Sequence, residues 1–214
     1  MLFAESVAMK IKLLGKNLDE LKKVVADAGL PGFTAKQIAQ WLYVKKVRSI
    51  DEMTNLSKSA RALLSEKYEV GVTEYTGLQL SSDGTKKYLF PVSCTHRRGV
   101  NLSCSGKIEE ADLESSAVEA VMIPDAERAT LCVSSQAGCR MGCKFCMTGR
   151  QGFHGHMSAA DIISQFIAVD ESDRLTNAVF MGMGEPLDNY DNVMRVIEIL
   201  TADWGFAWSP KRIT

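Results

Sequence analysis

The chain has 214 residues, of which 46% are hydrophobic and 24% charged, and its formal net charge is −1, as is usual for a soluble globular protein of one or two domains. No apolar run approaches the roughly 20 residues that a helix needs to cross a bilayer, which excludes a membrane span. The lysines near the N-terminus follow the apolar residues, which is the wrong order for a secretory signal.

Cysteine content and charge distribution add two expectations. Six cysteines, three of them in one short segment, suit a reducing compartment better than a disulfide scaffold, so we expect a cytoplasmic protein. Residues 1–70 carry 12 Lys and Arg against 8 Asp and Glu, whereas residues 71–214 carry 13 against 18. The basic N-terminal part could contact a phosphate backbone, but a solvated helical face would show the same surplus.

Residues 1–70 predict a small helical domain with three short amphipathic helices. Asn17 is a cap for the first helix, which runs to about residue 28. The segment Thr34–Gln37 has the pattern of a capping box and opens the second helix, and Ser57 begins the third. The apolar residues of these helices are expected to form the core. The exposed basic residues that could contact RNA are Lys36, Lys45, Lys46, Arg48, Lys58 and Arg61.

Residues 71–128 predict a β-rich connector. Residues 72–80 and 86–90 are typical of two strands joined by a turn, and residues 118–123 predict a third strand. Between them, residues 91–117 have the composition of an irregular insertion. It contains three residues of metal-binding type, Cys94, His96 and Cys104. These could bind a metal, but without a fourth ligand nearby we interpret them as incidental.

From residue 129 the pattern changes to alternating strands and helices. A strand over residues 130–134 precedes a cysteine loop, and a helix capped by Ser158 follows it. Residues 178–183 form a continuous apolar run, which is typical of a parallel strand covered on both faces. A second helix starts at about Asn189, and residues 212–214 begin a further strand.

This order predicts an α/β fold in which residues 129–214 form part of a (βα) barrel. Two βα units and the start of a strand do not close a barrel, since a complete (β/α)8 barrel needs about 250 residues. We therefore expect the chain to be a fragment of a longer protein.

The cysteine loop carries the clearest chemical signal. Cys139, Cys143 and Cys146 are spaced C-x3-C-x2-C, and thiolates are common ligands of iron–sulfur clusters and of zinc. Three ligands on a [4Fe–4S] cluster leave one iron free to bind another molecule. The alternative is a structural zinc site with His154 or His156 as the fourth ligand.

Several segments together resemble one family. They are residues 130–139, the cysteine loop, residues 147–153 and the Gly182-Met-Gly-Glu-Pro-Leu187 motif, in this order. This set closely resembles the radical S-adenosylmethionine (SAM) ribosomal RNA adenine C2-methyltransferases, and the helical N-terminal domain resembles the accessory RNA-binding domain of that family. The resemblance implies methylation of C2 of an adenine in 23S ribosomal RNA and of an adenine beside the anticodon of transfer RNA.

The resemblance also implies the cofactors and the roles of individual residues. The cofactors are a [4Fe–4S] cluster, held by the three cysteines of the loop, and SAM, whose amino end contacts Gly184 and Glu185. Glu119 matches a proton acceptor, although a surface carboxylate on a strand is the plainer interpretation. Cys132 matches the cysteine that helps to resolve a protein–RNA adduct, with a buried strand cysteine as the alternative. The implied partners are 23S rRNA, tRNA and an electron donor such as flavodoxin, and we expect a monomer without membrane contact.

One departure from the family limits the prediction. Members of the family carry a methyl group on a cysteine in their C-terminal segment, and no cysteine follows Cys146 here. We therefore expect that these 214 residues alone do not complete methylation. Three alternatives remain: the related C8-methyltransferase, a zinc-stabilised RNA-binding module without catalysis, and a non-functional remnant.

Overall fold

The computed structural model describes residues 10–92 and 116–214, which contain six α-helices and nine β-strands. The helices are α1 (Leu18–Asp27), α2 (Thr34–Ala39), α3 (Lys58–Lys67), α4 (Met147–Arg150), α5 (Ala159–Ala168) and α6 (Tyr190–Thr201). The strands are β1 (Ile11–Lys12), β2 (Tyr68–Glu69), β3 (Gly77–Leu80), β4 (Lys86–Val92), β5 (Ser116–Asp125), β6 (Arg128–Cys132), β7 (Gln136–Gly138), β8 (Phe153–His156) and β9 (Asn177–Val179).

Some sequence predictions concern residues that the structure does not describe. The predicted insertion covers residues 91–117, and most of it lies outside the described residues. Its two ends belong to strands, since β4 ends at Val92 and β5 begins at Ser116. Its metal-binding residue types, Cys94, His96 and Cys104, lie outside the described residues.

The N-terminal helices begin largely where their caps predict. At α1 the Asn17 side chain accepts from the Glu20 amide at 3.1 Å, while the Glu20 carboxylate accepts from the Asn17 amide at 3.0 Å. This reciprocal capping box satisfies two amides that the helix leaves without partners. At α3 the Ser57 hydroxyl accepts from the Ala60 amide at 3.1 Å, which confirms that cap as well.

The predicted capping box at Thr34–Gln37 is wrong. Thr34 is the first residue of α2 and is buried, and Phe33 occupies the cap position without a side-chain hydrogen bond. The chain already turns before the helix, since the Thr34 amide donates to the Pro31 carbonyl at 2.9 Å. A threonine cap is therefore not needed at this helix start.

One five-stranded sheet forms the framework of the rest of the chain. Its strand order is β3-β4-β5-β6-β9, antiparallel from β3 to β6 and parallel between β6 and β9. A parallel bridge between Ala178 and Ile213 continues it beyond β9, where a further strand was predicted. The sheet therefore runs through both the predicted connector, 71–128, and the predicted barrel segment, 129–214.

The two faces of this sheet differ in burial. Tyr88, Phe90, Val118 and Ala120 are buried in the same apolar core as α5. Side chains alternate between the faces along each strand, so Lys87, Leu89 and Glu119 point to the other face. Helix α5 lies between the β7–β8 hairpin and β9 in the chain. It is buried along nearly its whole length, which the apolar residues at 162, 163, 166 and 167 predict.

The N-terminal domain packs directly against α5, α6 and the segments that follow them. Tyr43 is buried beside Trp204, with ring centres 5.9 Å apart. The Lys46 ammonium donates to the Ser172 carbonyl at 2.7 Å, and Arg48 donates to the Ile167 carbonyl at 3.1 Å. The two parts therefore share one core and several polar contacts.

These contacts change the set of basic residues available to RNA. Lys46 is only partly exposed because it binds Ser172 and Asp173, and Arg61 is partly buried beside the Asp51 carbonyl. The prediction that both are exposed is therefore wrong.

Among residues 10–92 and 116–214, no helix combines the length and apolar character needed to cross a bilayer.

A glycine substitution tests the packing of the N-terminal domain on α5. A Cβ atom on Gly15 would lie 2.4 Å from the Ala160 amide nitrogen, and Gly15 has a φ of +79°. We expect Gly15→Ala to lower the free energy of unfolding by about 3 kcal/mol, because it combines backbone strain with a clash against backbone. Urea denaturation measures this change.

Gly29→Ala is the matched control. Gly29 also has a positive φ, +63°, but no atom lies within 4 Å of its Cβ position. The control should therefore cost only about 1 kcal/mol, the strain of the backbone alone. Equal losses for the two variants would show that the contact at Gly15 contributes nothing.

Candidate active site

The three loop cysteines lie within a β-hairpin. Strands β7 and β8 pair antiparallel, and residues 139–152 connect them. The Cys139 amide donates to the Gly152 carbonyl at 2.9 Å, which closes the loop at its base. Gly138 has a φ of +70°, and a Cβ there would lie 1.8 Å from the Gly152 oxygen. Only glycine fits at this close approach.

The loop presents its thiols toward solvent. Cys143 is exposed, Cys139 and Cys146 are half-buried, and all three are free. The backbone amide of Gly149 hydrogen-bonds the Cys146 sulfur and lowers its pKa, which favours the thiolate. In the described part of the chain, no three His, Cys, Asp or Glu side chains lie close enough together to hold a metal ion. The structure places the predicted ligands in one loop but does not bring them together as a ligand set.

Three ring side chains lie in or beside the cysteine loop. Phe145, which precedes the last cysteine, is 90% exposed. The His154 ring nitrogen Nε2 lies 3.1 Å from the Gln151 carbonyl. The His156 ring lies within hydrogen-bonding distance of Gln136 and Arg140, 3.1 Å in each case. Both histidines of the zinc alternative are therefore engaged within the protein.

The Gly-Met-Gly-Glu-Pro segment follows β9 and lies beside the hairpin. The Met183 amide donates to the Ser134 hydroxyl at 2.8 Å. A Cβ on Gly184, whose φ is +99°, would lie 2.5 Å from Cβ of Gln136. The half-buried Glu185 accepts from the Leu187 amide at 3.1 Å and so caps the 3-10 turn Pro186–Asn189. This loop is therefore packed tightly against the start of the hairpin.

An ion pair connects the two loops directly. Arg140, inside the cysteine loop, lies 2.9 Å from Asp188 at its Nε atom. The Arg140 guanidinium also lies 4.1 Å from the centre of the Phe153 ring, a cation–π arrangement. The loop of the predicted cluster ligands and the loop of the predicted SAM contacts are thus adjacent.

The two predicted catalytic residues lie on one face of the sheet. Val121 pairs with Cys132 across β5 and β6, and Glu119 is two residues from Val121, so the alternation of strands places Glu119 and Cys132 on the same side. Glu119 accepts from the Lys87 ammonium at 2.9 Å. Burial raises the pKa of the Cys132 thiol, partly offset by a hydrogen bond from the Met181 backbone.

Sequence reasoning missed buried polar side chains that bind the backbone of residues 134 and 135. Gln165 exchanges two hydrogen bonds of 2.9 Å with the Ser134 backbone. Asn189 donates to the Ser135 and Met157 carbonyls, at 2.8 Å each. The polar run Ser-Ser-Gln directly after an apolar strand was the available signal, because polar side chains in a buried position need partners.

Two family models match the chain. Residues 11–70 match the ribosomal RNA large subunit methyltransferase N-terminal domain. Residues 133–213 match the radical SAM superfamily. The second match contains the cysteine loop, Gly184 and Glu185.

Curated relatives match along nearly the whole chain. A probable dual-specificity RNA methyltransferase RlmN from Bacteroides fragilis is 53% identical over 96% of this chain and 54% of its own length. One from Porphyromonas gingivalis is 50% identical over 96% and 53%. A dual-specificity RNA methyltransferase RlmN from Geotalea uraniireducens is 39% identical over 96% and 54%. The chain spans about half the length of these relatives.

A solved structure agrees with the sequence matches. The crystal structure of a radical SAM methyltransferase from Sphaerobacter thermophilus superposes with a TM-score of 0.78 at 32% identity, over 95% of this chain and 55% of that one. This confirms the predicted α/β fold with part of a radical SAM barrel. By both domain matches, by its relatives and by the solved structure, the chain is similar to the RlmN RNA methyltransferases of the radical SAM superfamily.

Proposed function

We propose that this protein is a radical SAM methyltransferase that methylates C2 of an adenine in 23S ribosomal RNA and in transfer RNA. The cofactors that its family implies are a [4Fe–4S] cluster and SAM. The observation that supports the proposal most strongly is the 2.9 Å contact between Arg140 and Asp188. It joins the loop of the three cysteines to the loop of Glu185, so one ligand could contact both.

The donor set of the loop fits an iron–sulfur cluster. Thiolates are the ligands that such clusters use, and the lowered pKa of Cys146 favours one of them. Gly142 has a φ of +65° with no atom near its Cβ position, so the middle of the loop has room around it. In this proposal Cys139, Cys143 and Cys146 would hold the cluster, which would supply an electron for the reductive chemistry of SAM.

Gly184 and Glu185 are proposed to hold the amino end of SAM. The Glu185 carboxylate is half-buried and is fixed by the Leu187 amide. A carboxylate that is already positioned binds an ammonium group with little loss of side-chain freedom. Gly184 allows the backbone to pass close to Gln136, which a larger residue would prevent.

Glu119 and Cys132 are proposed to act on the adenine base. Both lie on the sheet face opposite the apolar core, at the end of the strands where the two loops begin. Burial raises the pKa of Cys132, which makes its thiolate a stronger proton acceptor once it forms. Glu119, held by Lys87, is the proposed second proton acceptor.

The domain division and partners complete the proposal. Residues 1–70 form the accessory domain that contacts RNA, residues 71–128 the connector and residues 129–214 the barrel segment. Lys36, Lys45 and Lys58 are exposed and are the proposed phosphate contacts. We also propose that the protein acts in the cytoplasm as a monomer and receives electrons from a donor such as flavodoxin.

Removal of the three thiols tests the cluster. After anaerobic reconstitution with iron and sulfide, the unmodified chain should show a broad absorbance band near ~400 nm. Replacement of Cys139, Cys143 and Cys146 by alanine should abolish the band and the bound iron, whereas Cys132→Ala should retain both. Full iron content in the triple variant, or stoichiometric zinc in the unmodified protein, would contradict the proposal.

The RNA product tests the reaction. The full gene that contains this coding sequence, expressed in cells that lack adenine C2 methylation, should produce 2-methyladenosine in 23S rRNA and tRNA, as measured by mass spectrometry of digested RNA, whereas residues 1–214 expressed alone should not. Cys146→Ala should abolish the product because it removes a proposed cluster ligand. Cys132→Ala should lower it strongly while iron content remains. A signal from 8-methyladenosine alone would instead assign the C8 reaction.

A further inference from the structure

Gln136 contacts the loop of Glu185, and both the oxygen and the nitrogen of its carboxamide have hydrogen-bond partners. The side chain is 0% exposed. Its Oε1 accepts from the Glu185 amide at 2.9 Å, and its Nε2 donates to the Asp188 carboxylate at 2.7 Å. Nε2 also lies 3.1 Å from Nδ1 of His156. Because one neighbour is a donor and another an acceptor, the orientation of the carboxamide is fixed by its partners.

The backbone around Gln136 holds the same loop. The amides of Ser135 and Gln136 lie 2.9 and 3.2 Å from the Met183 carbonyl, to which both donate. Gly184 passes so close that its added Cβ would meet the Gln136 side chain at 2.5 Å. The Gly-Met-Gly-Glu segment therefore contacts Gln136 with both backbone and side chain.

Asp188 extends this contact to the cysteine loop. Its Oδ2 atom accepts a hydrogen bond from Nε2 of Gln136. The same Oδ2 atom lies 2.9 Å from Nε of Arg140. Arg140 is the residue next to Cys139. A continuous chain of hydrogen bonds thus runs from the Glu185 backbone through Gln136 and Asp188 to the cysteine loop.

We propose that Gln136 is a positioning residue that fixes the Glu185 loop relative to the cysteine loop. This inference rests on the proposed function, in which Glu185 binds the amino group of SAM and the cysteines bind the cluster. One SAM molecule must reach both at once, so the distance between the loops has to be set before SAM binds. A displacement of about 1 Å at a reacting site can cost two orders of magnitude in rate.

Glutamine is the residue type that these neighbours require. Alanine at position 136 would leave the partly buried Glu185 amide without its acceptor. Glutamate would keep that acceptor but would bring a second carboxylate to the Asp188 carboxylate. An asparagine at position 188 could donate to that new carboxylate, so Gln136→Glu combined with Asp188→Asn would restore this one hydrogen bond in reversed polarity, while the ion pair between Asp188 and Arg140 would be lost.

The first test measures the position of the loop without any cofactor. Hydrogen exchange of the Glu185 amide, followed by NMR or mass spectrometry, should become at least about tenfold faster in both single variants. Gln136→Ala removes the acceptor of that amide, and Gln136→Glu places a second carboxylate against Asp188. The double variant Gln136→Glu/Asp188→Asn should return to within about threefold of the unmodified protein. The control is Ser164→Ala, which removes a buried hydroxyl bonded to Thr73 and Ala160 and should leave this amide unchanged.

The second test measures SAM binding to the reconstituted protein by equilibrium dialysis. Gln136→Glu should raise the dissociation constant at least about tenfold with full iron content. Unchanged exchange and affinity in Gln136→Ala and Gln136→Glu would overturn the inference, as would exchange of the Glu185 amide in the double variant that is as fast as in Gln136→Glu. An unmodified protein that binds neither iron nor SAM, yet shows the expected exchange pattern, would contradict the proposed function and support the coupling of the loops.

Discussion

The parallel pairing of β6 with β9 is the contact on which the rest of the site depends. Leu131 pairs with Ala178 and Cys132 with Val179, so the two strands end at the same edge of the sheet. In α/β folds, ligands bind at the carboxyl ends of parallel strands because the loops that follow them converge there. The cysteine hairpin follows β6 and the Glu185 loop follows β9, which brings two distant segments of sequence together.

Buried hydrogen bonds then hold the cysteine hairpin and the Glu185 loop in position. The Ser134 hydroxyl accepts from the Met183 amide and donates to the Glu119 carbonyl at 2.6 Å. Asn189 binds two carbonyls on the opposite side of the same region. A polar group buried without a partner costs about 1–3 kcal/mol, so each of these side chains favours one arrangement of the loops. Hydrogen bonds between backbone groups and short side chains therefore hold the two loops in one arrangement.

The N-terminal domain adds a second constraint, because it shares a core with the barrel segment. Gly15 contacts the start of α5, and Tyr43 packs on Trp204 after α6. Two of the basic residues that the sequence suggested for RNA, Lys46 and Arg48, bind carbonyls of the barrel segment instead. The orientation of this domain relative to the sheet is therefore set by packing and polar contacts rather than by a flexible linker.

The sequence by itself determined the local features of this protein. The capping residues Asn17, Ser57 and Ser158 predict helix starts that the structure confirms, and the spacing of the cysteines identified the loop, because both signals act within a few residues. Tertiary structure decided which distant residues meet. At Thr34 a turn that begins at Pro31 starts the helix, so the predicted cap does not form. Gln136 reaches Glu185 and Asp188 only because β9 pairs with β6. The hydrogen bonds that fix Gln136 join it to residues about fifty positions away, and no local pattern encodes such a contact.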